Sequence, residues 1–409
     1  MIQSLTIEGF KSLEKITLNL SNLNLFIGTN ASGKSNFFDA LRVLQGIGYG
    51  FTIDEIFNGK PKNATSEVWD SIRGGSSKAT FTPRGHYASE EQTIQFSVTI
   101  KSPDDPGNEI QYWISISAER GCVCSEKLQV NDYAIFDSNP ISDYPNNPVI
   151  KVRYYNGKKA RPPHLPFEKS RSVLHQLLRE KICLKDHADW IQKCIDTLSN
   201  TQHLDPSPAI LRGYSQAHTA QRMGERGENF AALVKTIITN VTEKSAFVSW
   251  LKELTPTELD DVSILSGALG ESLFALKEGD IDYPAPILSD GTLRFAAITA
   301  AFFQPDLPEI LTLEEIENGL HPTRLRLLVE LMKSMSKSGN VQVMATTHSP
   351  LILEWLNPED YDTTFVCKRD ESTGATRIIP LSQISSLLRL IQKQPISELF
   401  AEGWFEGIL

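Results

Sequence analysis

Cysteine is scarce in this chain: five residues in 409, Cys122, Cys124, Cys183, Cys194 and Cys367. The number is odd and the spacings match neither a zinc site nor a disulfide framework, so reduced cytoplasmic thiols are the plain reading. Long apolar runs are missing too. The opening stretch MIQSLTIEGFKSLEKITLNL is broken by Glu8, Lys11, Glu14 and Lys15, and no later segment approaches the roughly 20 apolar residues of a membrane span. The expectation is a cytoplasmic protein with no targeting signal and no membrane partner. Positive charge is in deficit, with 40 Lys and Arg against 50 Asp and Glu, a formal net charge of -10. Such a surface repels nucleic acid unless its basic residues are clustered. Internal repeats and low-complexity tracts are absent.

What is present is a soluble globular composition, 40% hydrophobic and 22% charged, long enough for one interrupted domain or two to three ordinary ones. Ile16, Leu18 and Leu20 alternate with polar residues as in a half-buried strand. LNLFI, residues 23–27, is a short buried strand that runs into glycines, and NFFDALRVLQ then carries Phe37, Phe38, Leu41 and Leu44 at helical spacing. TIQFSVTI and IQYWISISA, split by SPDDPGN, predict a hairpin or meander. After the proline-rich DSNPISDYPNNP and ARPPHLP, residues 171–255 read mainly as helices. EILTL and VQVMAT are short buried strands around a helix begun by Pro322, and FVCK and RIIPL predict two more strands. The expected division is 1–150, 151–275 (a mainly helical insertion) and 276–409.

Four motifs carry chemistry. GTNASGKS fits G-x-x-x-x-G-K-[ST] with Gly28, Gly33, Lys34 and Ser35 in the fixed places. Glycines let backbone N–H groups turn inward around a phosphate, the lysine reaches the β and γ phosphates, and the serine hydroxyl faces Mg²⁺. The strand before and the helix after are the context that this motif needs. The second is PEILTLEEIENGLHP, which puts Glu314 and Glu315 at the C-terminal end of a buried strand, where open α/β sheets bind ligands. Glu314 suits Mg²⁺ and Glu315 suits activation of a water; alone, the pair also reads as a solvated acidic turn. The third is MATTHSP, with His348 just past a strand, otherwise an ordinary hydrogen-bonded histidine. The fourth is PILSDGTLRF, where Ser289 and Gly291 start a helix, by itself a simple helix cap.

In this order the four motifs resemble the nucleotide-binding domains of the ABC-type ATPase superfamily. GFKSL, Asn30 of GTNASGKSN, LSDGT, EEIENGLHP and THSP look like the branch with RecF, the structural-maintenance-of-chromosomes (SMC) heads and the OLD-like AAA ATPases, including ATPase subunits of Septu-like and retron-associated defence systems. The resemblance covers residues 1–60 and about 280–409; between 150 and 275 only GERGENFAALV is similar. It implies an α/β ABC-type ATPase head, a phosphate-loop mixed sheet plus an antiparallel β subdomain, with the helical insertion. It also implies two heads closing on ATP and Mg²⁺ as a homodimer or higher oligomer. Lys11, Gly28, Asn30, Ala31, Ser32, Gly33, Lys34, Ser35 and Asn36 then bind nucleotide in one subunit, and Ser289 and Gly291 clasp the γ phosphate from the other. Ser35 and Glu314 serve the metal, Glu315 activates water, and His348 senses the γ phosphate.

The departures are Glu314 for the usual aspartate, Ile316 for the usual proline, Asp290 for a glycine and Thr292 for a glutamine. An extra carboxylate at Asp290 should weaken triphosphate binding and slow turnover. The Q-loop glutamine has only Gln95 as a candidate. Functionally the resemblance implies an ATP-driven switch that controls a separate effector, such as a nuclease, in prokaryotic defence. The alternative is a DNA-maintenance ATPase that contacts DNA itself. For that, residues 151–181 offer Lys151, Arg153, Lys158, Lys159, Arg161, Lys169, Arg171, Arg179 and Lys181 against Glu168 and Glu180, with Tyr154 and Tyr155 between them. The same run also reads as a solvated helix face or a partner-docking surface. A self-contained nuclease needs a further domain for which too little chain follows His348, and a transporter subunit fits neither ENGLHP nor the insertion.

Overall fold

The computed structural model describes residues 1–409 except 61–68, 87–91, 103–104, 139–146, 158–161, 217–218, 254–258, 392, 396–397 and 400–409. Two compact units share the chain. The first holds Met1–Ser21, Thr29–Thr201 and Val366–Ile379; the second holds Asn22–Gly28, Gln202–Phe365 and Pro380–Leu409.

In the first unit eight strands form an antiparallel sheet, in the order Leu13–Asn19, Ile2–Phe10, Ile94–Ser102, Asp105–Ser117, Cys122–Val130, Tyr133–Ser138, Val149–Tyr154, His164–Glu168. Strand alternation puts one side chain in two on the core face. Leu5 opposite Val98 and Ile7 opposite Phe96 are all fully buried. The predicted meander is found, but strand Val149–Tyr154 runs into, and strand His164–Glu168 lies inside, the range 151–275 expected to be a mainly helical insertion. Ile150, Val152 and Tyr154 supply a period of two that the flanking prolines obscure. Helices follow only from Val173. Helix Lys34–Gly48 packs on helix Lys185–Ser199 so closely that a Cβ at Gly48 would meet the Ser199 backbone nitrogen. That crossing requires a glycine.

In the second unit parallel strands Ile310–Leu313, Gln342–Thr347 and Leu23–Ile27 lie side by side. Every residue of the three except Leu23 is buried, as expected of strands covered on both faces. Leu313 is level with Ala345, and Ala345 with Leu25, so the three C-terminal ends share one edge. Helix Asp290–Phe302 is buried along its whole length from Gly291. Phe295, Ala296, Ala297, Ala300, Ala301 and Phe302 give it the composition of a core helix, with Arg294 as its buried charge. A three-stranded antiparallel sheet, Asp261–Ser266, Ser272–Glu278 and Ile281–Pro284, begins inside the range read as helical. Among the described residues no helix is long and apolar enough to cross a membrane.

Candidate functional site

The strand Leu23–Ile27 delivers the chain to Gly28, whose N–H donates to the Thr347 carbonyl at 3.3 Å. The loop that follows uses left-handed backbone at Ala31 (φ 63°) and Gly33 (φ 99°). A Cβ at Gly33 would also collide with the Thr376 hydroxyl, so both the dihedral and the space demand glycine. Gly33 opens helix Lys34–Gly48 without a side-chain cap, which keeps the helix start accessible to an anion. Lys34 is buried, and its ammonium donates to the Thr29 carbonyl at 2.9 Å and to Ser32 Oγ at 3.4 Å. It curls over the loop, where a phosphate cradled by that loop would meet it. Asn30 is exposed and Ser35 half-buried.

A set of hydroxyls braces this loop. Asn36 Nδ2 donates to Ser12 Oγ at 2.6 Å, Ser12 Oγ and Thr376 Oγ1 are 2.6 Å apart, and Thr376 Oγ1 donates to the Ser32 carbonyl at 3.1 Å. Of these, Thr376 carried no signal in the sequence. Lys11 is a different matter. Its backbone is left-handed (φ 50°), its ammonium lies 2.5 Å from Asp39 Oδ2, and Arg73 Nε reaches Asp39 Oδ1 at 3.0 Å. Burial lowers the Lys11 pKa and the Asp39 carboxylate opposes that shift. Lys11, expected as a nucleotide ligand, forms an ion pair with Asp39 on the loop helix. Gln95 lies on strand Ile94–Ser102 opposite Glu8.

In the second unit the shared strand edge gathers Gly28, Glu315 and His348. His348 Nδ1 lies 2.9 Å from the Gly28 carbonyl and Nε2 lies 3.3 Å from Glu315 Oε1. A carbonyl only accepts, so Nδ1 carries a proton. The Nε2 contact is a hydrogen bond only when a second proton lies between imidazole and carboxylate. Glu315 has φ 48°, a left-handed conformation that costs a side-chain-bearing residue about 1–2 kcal/mol. Such strain concentrates at functional positions. Its N–H donates to Thr346 Oγ1 at 2.9 Å, and Asn318 Nδ2 donates to Glu315 Oε2 at 2.5 Å. Ile316, in place of proline, donates its N–H to the Thr346 carbonyl at 3.1 Å, a bond proline cannot make. Glu317 accepts the His348 N–H and so fixes the histidine's backbone. Sequence reasoning passed over it, although it sits two residues from Glu315.

Ser289 caps helix Asp290–Phe302, accepting the Thr292 N–H at 3.2 Å. A Cβ at Gly291 would strike the Gly319 carbonyl, so the ENGLHP turn packs on the helix start. Two arginines attend this end. Arg212 Nη2 is 2.6 Å from Asp290 Oδ1, and Arg324 Nη1 reaches Thr292 Oγ1 at 3.1 Å and Ser289 Oγ at 3.4 Å. The Asp290 carboxylate is thus paired with Arg212.

The basic run at 151–181 is less available than its sequence suggests. Tyr154 and Lys169 are buried, Arg153 pairs with Asp137 at 2.7 Å, and Arg171 pairs with Glu168 at 3.5 Å. Tyr155 hydrogen-bonds Asp137 at 2.7 Å. Lys158, Lys159 and Arg161 lie outside the described residues. Among the described residues no group of three or more His, Cys, Asp or Glu side chains could hold a metal. Ser35 in the first unit and Glu314 in the second are each, taken singly, oxygen donors of the kind a hard cation such as Mg²⁺ takes alongside phosphate and water.

Comparison with known proteins bears on these features. Residues 1–220 match the family described as "AAA ATPase domain", and residues 132–354 match that described as "AAA domain, putative AbiEii toxin, Type IV TA system". An "ATP/GTP phosphatase" of Helicobacter pylori is 24% identical over 366 residues, 87% of this chain and 88% of that protein. The SMC head bound to the C-terminal winged-helix domain of ScpA superposes with a TM-score of 0.54 at 14% identity, covering 94% of this chain and 99% of that one. The α/β head fold read from the motifs agrees with that likeness.

Proposed function

We propose, from the premise that the chain belongs to the AAA ATPase domain family, that it is an ATPase whose hydrolysis is used as a switch. Two copies close on ATP, and the closed pair controls a separate effector protein. The carrying observation is the cluster at the strand edge, where His348 links the Gly28 carbonyl to the Glu315 carboxylate while Glu315 is held in a left-handed backbone. A solvated acidic turn would have no reason to keep such a conformation.

The residues divide the work. The loop from Gly28 to Ser35, with Asn30, Ala31, Ser32 and Asn36, wraps the phosphates, and Lys34 neutralises them. Ser35 and Glu314 would hold Mg²⁺, which when bound offsets phosphate charge. Glu315 takes a proton from the attacking water, and His348 shares that proton through Nε2. Ser289 and Gly291, with Arg324 beside them, face the triphosphate of the second copy. The toxin–antitoxin wording of the second family description supports an effector-linked defence role, and the SMC-head likeness supports closure between heads.

The test is a pair of variants. Lys34→Ala should abolish ATP binding. Glu315→Gln should bind ATP, lose hydrolysis and accumulate as a dimer by light scattering. A Glu315→Gln protein that stays monomeric in saturating ATP refutes the two-copy site. An intact Lys34→Ala affinity refutes the phosphate loop. Recovery of an effector such as a nuclease with natively purified protein supports the switch, and strong nuclease activity of the chain alone overturns it.

A further inference from the structure

Arg294 lies on the helix that begins with Ser289, and its side chain is only 5% exposed. Its Nη1 donates to Asp205 Oδ1 at 3.0 Å and to the Pro206 carbonyl at 2.8 Å. Its Nη2 donates to the Glu314 carbonyl at 2.8 Å and to the Glu315 carbonyl at 3.2 Å. Thr346 holds the other side of the same two peptide planes. The plane between Glu314 and Glu315 is gripped at its carbonyl by Arg294 and at its N–H by Thr346 Oγ1. The plane between Glu315 and Ile316 is gripped at its carbonyl by Arg294 and at its N–H by the Thr346 carbonyl. Rotation of these two planes about the Glu315 Cα defines its φ and ψ. The left-handed conformation is therefore fixed from both sides by two residues, one of them on the helix capped by Ser289. Burying a guanidinium to hold two carbonyls is a costly way to gain stability alone, since apolar residues of similar volume usually serve as well.

We propose that Arg294 is a positioning residue that sets the Glu315 carboxylate for hydrolysis and couples it to the Ser289 end of its own helix. An anion arriving at Ser289 from a second copy shifts or stiffens that helix, and Arg294 passes the change to the Glu315 backbone. The coupling rests on the reading above, in which Glu315 acts on ATP and Ser289 faces the nucleotide of another copy.

The test compares wild type, Arg294→Lys and Arg294→Met for kcat, KM and the Kd of a fluorescent ATP analogue, each with and without Ser289→Ala. Arg294→Met should lower kcat about 10- to 100-fold while Kd stays within about twofold. Arg294→Lys, which keeps a cation beside Asp205 and can bond one carbonyl, should fall between. Ser289→Ala should cost at least about fivefold less in the Arg294→Met background than in wild type, because groups in one network are not additive. If Arg294→Met does not fold, Arg294→Lys decides by the same criteria. A kcat within twofold of wild type, or a parallel loss of kcat and nucleotide affinity, overturns the positioning role; strict additivity with Ser289→Ala overturns the coupling. Failure of the underlying reading shows separately, as hydrolysis that survives Lys34→Ala or is absent from the wild type.

Discussion

Replacing Thr346 by valine would test the strained glutamate most directly. Thr346 is 2% exposed on the buried strand Gln342–Thr347, and valine keeps its branching and nearly its volume. The one polar loss is the 2.9 Å bond from Glu315 N–H to the threonine hydroxyl. An N–H left unpaired in this part-buried position costs up to about 1–3 kcal/mol. That penalty falls on the left-handed conformer, which already carries about 1–2 kcal/mol of strain relative to right-handed backbone. Glu315 then relaxes away, and the competent population drops by roughly 5- to 150-fold at 1.4 kcal/mol per decade. Steady-state phosphate release should show that loss in kcat. The Kd for ATP should stay within about twofold, because the lysine and the loop glycines are untouched. Thermal unfolding should shift down by roughly 2–12 °C, at about 2–4 °C per kcal/mol for a body of this size. Thr346→Ser keeps the hydroxyl and should recover most of the rate. Wild-type hydrolysis by the valine variant, or a serine variant as poor as valine, would refute the reasoning.

Gly33→Ala should remove ATP binding in an equilibrium titration, because the new methyl needs a positive φ and collides with Thr376; unchanged affinity would show that the loop tolerates another backbone path. Asp290→Asn should leave turnover within about twofold, because Arg212 already compensates the carboxylate, and a large acceleration would restore the view that Asp290 slows hydrolysis. Glu126 is fully buried among Tyr112, Ser172 and the Val173 N–H, and burial raises its pKa from 4.5 to about 7 against those donors. A carboxyl with a raised folded pKa stabilises fully below its unfolded value and loses that contribution as pH climbs through the folded one. Stability should therefore fall by on the order of 3 kcal/mol between about pH 4.5 and 7 through this group. Glu126→Gln should flatten that slope in pH-dependent melts; an unchanged slope would assign it elsewhere.

What the sequence made readable was what is local. The glycines, lysine and serine of the phosphate loop lie within eight residues, and each states its own physical requirement. Glu315 and His348 were found by their place at strand ends, and the parallel register brings those ends together. Strand Ile2–Phe10 was missed because its register slips between Ile2 and Ser4 and Gly9 takes φ 76°, which spoils the alternation. The sheet strands after residue 149 were hidden by prolines that sit at their flanks. Thr346, Thr376 and Arg294 were invisible for a different reason: each acts through a backbone or hydroxyl partner distant in sequence, 31, 364 and 21 residues away. No residue-type pattern encodes such a pairing. Arg212 escaped likewise, so Asp290 was read as a bare charge.

The brace formed by Ser12, Asn36 and Thr376 has a consequence for biosynthesis. On the ribosome the loop is written early, yet its last hydroxyl emerges 364 residues after Ser12. At elongation speeds of roughly 5–20 residues per second, that is a delay on the order of 20–70 s. Until then Ser12 and the Ser32 carbonyl lack their common partner, so the brace behind the loop is among the last contacts that synthesis makes possible.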